Sequence, residues 1–213
     1  QGLVWGGLLP DVGGASDGGD TTYVKVNGST YANGLSAGVI LGSGIGDDPE
    51  NYQVWKVNLA DNSNWSDWPA DKGAPYDDVD GDGMYSAATD KPGWPGADQT
   101  IWIVANDIGQ NISTPPSTEF AGSDPIGIEY QLTMWGYNFP STNPLGNMNF
   151  KKARIIYKGL PDTYTKSDGT DTTYTTTGKN ATFDKFYFAQ WGDLDVGDYG
   201  DDYAGCDLDL SLG

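Results

Sequence analysis

The sequence predicts an all-β protein, a single β-sandwich or jelly-roll-like domain with long Asp/Gly-rich loops. Three observations lead there. Apolar and polar residues alternate in several short runs, the period of a half-buried strand. No segment sustains a helical period over about twelve residues. Finally, 31 glycines and 12 prolines stand between the runs, as many turns between short strands require. The 213 residues suffice for one sizeable domain. Aromatic residues make up 13% of the chain, so the core is expected to be aromatic and β-branched rather than leucine-rich.

The elements follow in order. Residues 3–9, 21–26 and 39–41 are short apolar candidates. Residues 52–58 read YQVWKVN, with Trp55 and Val57 on one face and Tyr52 and Val54 on the other. Residues 99–106, QTIWIVAN, form a nearly continuous apolar run, which suits a central strand. Residues 126–137 alternate most clearly. Ile126, Ile128, Tyr130, Leu132 and Met134 fall on one face, with Glu129, Gln131 and Thr133 on the polar one. Residues 148–158 set Ala153, Ile155 and Tyr157 opposite Lys152, Arg154 and Lys158. Residues 182–191, TFDKFYFAQW, are aromatic and alternating, while 174–177 and 208–212 are weaker strands. Long loops are expected over 61–98, 110–125 and 162–180, the last a Thr-rich insertion or hairpin.

Charge and composition remove several functions. The net charge of −19, with ten lysines and one arginine, leaves no basic patch for nucleic acid or anionic membrane. Bound cations, or solubility through self-repulsion, account for such an excess. There is no histidine, which removes His-based triads and His–zinc sites. The single cysteine, Cys206, forms no internal disulfide and reads as a small buried residue. No apolar run reaches the roughly eighteen residues of a spanning helix. No signal peptide is visible, and the apolar segment at 208–212 suggests a processed piece or module of a longer precursor.

Aspartate outnumbers glutamate 27 to 3, and short carboxylates alternating with glycine point to a hard cation. The sharpest instance is Asp78-x-Asp80-Gly81-Asp82-Gly83. Carboxylates at the first, third and fifth positions of a tight loop converge on calcium, and the carbonyl of Met84 supplies a further ligand. An EF-hand would need a bidentate Glu at its twelfth position. Thr89 stands there, so Asp90 is the candidate closing ligand. A second acidic stretch, Asp193, Asp195, Asp198, Asp201 and Asp202, needs either a cation or open solvent.

Other chemistries leave fainter traces. Trp65, Trp68 and Trp94 lie in loop-like sequence and are candidate platforms for sugar rings. Glu129, with Asp107 or Glu119, is a conceivable glycosidase pair. Sequons begin at Asn27, Asn64, Asn111 and Asn180. Asp-Thr-Thr triplets at Asp20 and Asp171 resemble bacterial O-glycosylation acceptors.

Several segments together resemble a known family. They are GLVWGG from Gly2, WPADKGAP from Trp68 running into the Asp78 loop, and PGWPGADQ from Pro92. IEYQ from Ile128, WGY from Trp135 and LGNMNFKK from Leu145 continue the series. QWGDLD from Gln190 and DYAGCD from Asp202 complete it up to Ser211-Leu-Gly213. The chain is similar to the N-terminal region of large secreted bacterial surface proteins, of the Bacteroidetes type, that carry a C-terminal type IX secretion sorting domain. The resemblance implies an extracellular or cell-surface location and no established catalytic activity.

The expected function is therefore a calcium-stabilised structural or adhesive surface protein, not an enzyme. It would associate with itself or with other surface proteins, pairing the terminal strands 3–9 and 208–212 into a filament or sheath. A carbohydrate-binding module is the alternative, and a glycoside hydrolase a more distant one.

Overall fold

The structure, a computed structural model, describes residues 2–10, 23–29, 35–41, 53–108, 126–159, 163–166, 172–175, 183 and 185–191. Twelve strands appear among these: β1 (Gly2–Pro10), β2 (Tyr23–Ser29), β3 (Ser36–Ala37), β4 (Trp55–Asn58), β5 (Tyr76–Asp77) and β6 (Lys91–Pro92) in the first half. Then come β7 (Gln99–Asn106), β8 (Ile128–Gly136), β9 (Asn149–Tyr157), β10 (Thr163–Lys166), β11 (Thr172–Thr175) and β12 (Lys185–Trp191). Short 3-10 turns occupy Trp65–Asp67, Ala70–Lys72 and Pro144–Asn147.

The expected sandwich or jelly roll is not what forms. The strands fall into separate small sheets: β12-β1-β2, β10-β11, β5-β6, and a five-stranded sheet in the order β3-β7-β8-β9 with β4 also on β7. None closes into a barrel or curls strongly, and helical turns stand between them, so the fold is a mixed one of open sheets. Local alternation locates strands but not how sheets associate, which depends on the long connections. The filament expectation falls with the sandwich. It needed 3–9 as an unpaired edge, yet β1 is bonded on one side to β12 and on the other to β2. The segment 208–212 lies outside the described residues.

The five-stranded sheet carries the main core. β7 is rich in β-branched and aromatic residues and buries every second side chain: Thr100, Trp102, Val104 and Asn106. Trp102 packs on Trp55 of β4 with ring centroids 5.5 Å apart, and Val39, Val57, Trp68 and Ala74 complete the cluster. A smaller cluster joins Trp5 of β1 to Ile126 and Ile128, with Ile155, Tyr157 and Phe186 against it.

The register places Glu129, Gln131 and Thr133 of β8 beside the buried row of β7. The face that reads as polar is thus an interior one, because the connection from β4 to β7 folds over it. Gln131 Nε2 donates to the Lys72 carbonyl in that connection (3.2 Å) and to Glu129 Oε1 (2.8 Å). Glu129 is wholly buried. Its Oε2 accepts from the Ile40 amide (2.9 Å) and pairs with Lys158 Nζ (2.5 Å), whose side chain is 34% exposed. Asp107 caps the entry to β8, accepting from the amides of Ile126, Gly127 and Ile128 at 2.9–3.1 Å. Burial pushes its carboxyl up to about 6, against the opposing pull of those amides. No buried side-chain polar atom among the described residues lacks a partner. No helix among them is long and apolar enough to cross a membrane.

Candidate metal centre

The acidic loop joins the two strands of the β5-β6 ribbon. Tyr76 pairs with Pro92 and Asp77 with Lys91, so residues 78–90 leave and return at one point. Asp90 fastens the neck. It is 1% exposed, and its two oxygens accept from the amides of Val79 (3.0 Å) and Ser86 (2.8 Å). The Asp90 amide in turn donates to the Ser86 carbonyl (2.8 Å). Both oxygens of the residue read as a closing ligand are thus engaged inside the protein.

Above the neck, one carboxylate oxygen from each of Asp78, Asp80 and Asp82 lies within 4.8 Å of the others, and all three residues are exposed. Backbone amides hold them there. Gly81 and Gly83 donate to the two oxygens of Asp78 (2.8 and 2.9 Å), Asp82 to Asp80 Oδ1 (3.2 Å), and Met84 to Asp82 Oδ1 (2.7 Å). These Asx-type bonds tie each side chain to the backbone two to five residues on. Gly81 and Gly83 have φ of 75° and 79°, and a Cβ on either would meet nothing within 4 Å. The glycines are therefore required by backbone conformation and not by space.

Three like charges at this separation repel unless solvated or bridged. The surface triad can accordingly coordinate a divalent cation. Its oxygens suit a hard ion, and its exposure leaves room for waters in the remaining positions. Tyr76 reports the local field. Its hydroxyl is pushed up by desolvation and then by Asp78, Asp90, Asp82 and Asp80. Tyr85 supports the loop from below, donating to the Trp65 carbonyl (2.7 Å) and lying 5.3 Å from the Tyr76 ring. Burial, with a smaller contribution from Asp90, pushes Tyr85 up to about 12.

The other candidates are dispersed. Asp193, Asp195, Asp198, Asp201 and Asp202 lie outside the described residues, as does Glu119. Trp68 is buried in the core, with Nε1 donating to the Pro75 carbonyl (2.8 Å). Trp65 is half-buried against that core, and its Nε1 donates to the Asn58 carbonyl (3.4 Å). Trp94 stacks on Trp135 at 4.2 Å, with Lys152 Nζ 4.9 Å from its ring centroid. Glu129 and Asp107, read as conceivable acids of a glycosidase, are buried and occupied by amides, Glu129 also by Lys158. Tyr76 escaped the sequence reading, since only the ribbon brings it beside the acidic loop.

Comparison with protein-family models, curated proteins and solved structures finds no match to this chain.

Proposed function

We propose that the Asp78–Asp82 loop binds calcium, and that the ion reinforces a structural module of an extracellular surface protein. The observation that carries this reading is the convergence of three carboxylates on a loop whose own amides already orient them. Calcium suits the site better than magnesium. It takes six to eight oxygens in flexible geometry, whereas magnesium demands a near-ideal octahedron. Asp78, Asp80 and Asp82 would hold the ion, with the Met84 carbonyl and waters supplying further oxygens. The surface location rests on the family resemblance and agrees with the excess of acid. A structural role is favoured over a catalytic one because the interior acids are committed to amides and a lysine.

The test is thermal unfolding with calcium and with EDTA. At a free calcium concentration about 100 times Kd, binding to the folded state alone adds about 2.7 kcal/mol. For a chain of this size that raises Tm by roughly 5–11 °C. Asp80→Asn should abolish the gain yet leave the EDTA-treated protein within about 0.5 kcal/mol of the parent, since it removes one of three repelling exposed charges. An EDTA-insensitive midpoint refutes the proposal.

A further inference from the structure

A cleft stands at one end of the five-stranded sheet and shares no residue with the acidic loop. The register aligns Asn58 of β4, Gln99 of β7, Gly136 of β8 and Asn149 of β9 in one transverse row. Directly paired residues project to the same face, so three amide side chains stand in line with a gap at Gly136. That gap opens into a cleft of about 500 Å³. Small-molecule sites span roughly 300–1,000 Å³.

Asp61, Asp98, Tyr137 and Asn138 wall the cleft, and among the described residues no lysine or arginine lines it. Its floor is ordered by a bond from Gln99 Nε2 to Asn58 Oδ1 (2.6 Å). Asp98 Oδ2 accepts from the Asn138 amide (2.8 Å), and Asp61 Oδ1 from the Ser63 amide (3.0 Å). Much capacity is left over. Among the described residues the side chains of Asn138 and Asn149 make no hydrogen bond, and the second oxygen of Asp98 accepts none, while Asp61 also accepts from the Ser63 side chain. The Tyr137 ring packs against Phe139, centroid 5.7 Å away, and edge-to-face with Phe150 at 5.8 Å, on the sheet face opposite the amide row.

We propose that this cleft binds a short neutral saccharide. Carboxylates accept from neighbouring hydroxyls, and amides both donate and accept, which matches the closely spaced donors and acceptors of sugar hydroxyls. Two carboxylates without a cation, in a chain of net charge −19, repel uronic, sulfated or phosphorylated sugars. None of Trp65, Trp68 and Trp94 takes part. The inference is independent of the calcium reading.

Gly136 provides the test. Its φ lies outside the left-handed region, and an added Cβ would meet only Asn149 Oδ1 at 3.4 Å and the Met148 carbonyl at 3.9 Å. Gly136→Leu therefore fills the gap without straining the backbone. The intact chain should be titrated by calorimetry and saturation-transfer NMR with cellobiose, maltose, lactose and mannobiose. A digalacturonate and spermidine serve as charged comparisons. At least one neutral disaccharide should bind, with affinity reduced more than about tenfold in Gly136→Leu and in Asn149→Ala while Tm is retained. Digalacturonate should not bind. If Gly136→Leu does not fold, Asn149→Ala and Asn138→Ala decide the matter. The proposal is overturned if no neutral disaccharide binds, if binding survives these substitutions, or if spermidine binds more tightly than every sugar.

Discussion

Removing Lys158 should cost far more stability than its position near the surface suggests. Its Nζ pairs with Glu129, which is 0% exposed, while the Lys158 side chain is 34% exposed. Lys158→Met leaves a carboxylate sealed in the interior with only the Ile40 amide and Gln131 Nε2 as donors. Stranding a buried charge costs about 3–5 kcal/mol. The water already reaching Lys158 and the two surviving bonds bring the expected loss to roughly 2–4 kcal/mol. That lowers Tm by about 4–16 °C for a chain of this length.

The reverse substitution should be milder. After Glu129→Gln, Lys158 can turn its ammonium into solvent. Gln131 must either reorient, losing its bond to the Lys72 carbonyl, or face another amide donor. This costs roughly 1–3 kcal/mol. The double variant should be more stable than Lys158→Met alone, because no charge is then trapped. Urea unfolding of the four proteins, with equal m-values, measures the cycle. Equal losses in the two single variants, or a double variant showing their simple sum, would refute the argument from asymmetric burial.

Two further predictions concern titration. Asp107 has a folded pKa raised to about 6, so between about pH 4 and 6 the native state binds more protons than the unfolded chain. Its contribution is present at low pH and is lost as pH rises through 6, a swing of about 3 kcal/mol. Asp107→Asn should flatten that part of the stability–pH curve; an unchanged slope would count against it. Tyr76 is pushed up partly by Asp78, Asp82 and Asp80, so loading the triad with calcium should lower its pKa. The tyrosinate absorbance titration of the parent minus that of Tyr76→Phe should shift to lower pH with calcium and be unmoved by it in Asp80→Asn.

The strands were largely legible. Residues 99–106 form β7 with the bounds their apolar run marks, and the alternation over 126–137 assigns each β8 side chain to its face. Which face is buried was not legible. Alternation separates Ile128 from Glu129 but does not say what covers either, and a connection from elsewhere in the chain buries Glu129. β5 and β6, two residues each, carry no periodic signal. The acidic loop could be picked out by spacing because its contacts are local: every bond holding Asp78, Asp80 and Asp82 spans five residues or fewer. Asp90 stands out by the same local spacing, and what the spacing does not tell is that it is buried, with its oxygens accepting from the amides of Val79 and Ser86.

The sequence by itself determined the strands and a triad of carboxylates, because backbone period and Asx-type turns act over a few residues. Tertiary structure alone decided the separate open sheets, the burial of Glu129 and the row from Asn58 to Asn149. Those depend on register and coverage between segments tens of residues apart, where the free energy of burial is set by the partner and not by the local pattern.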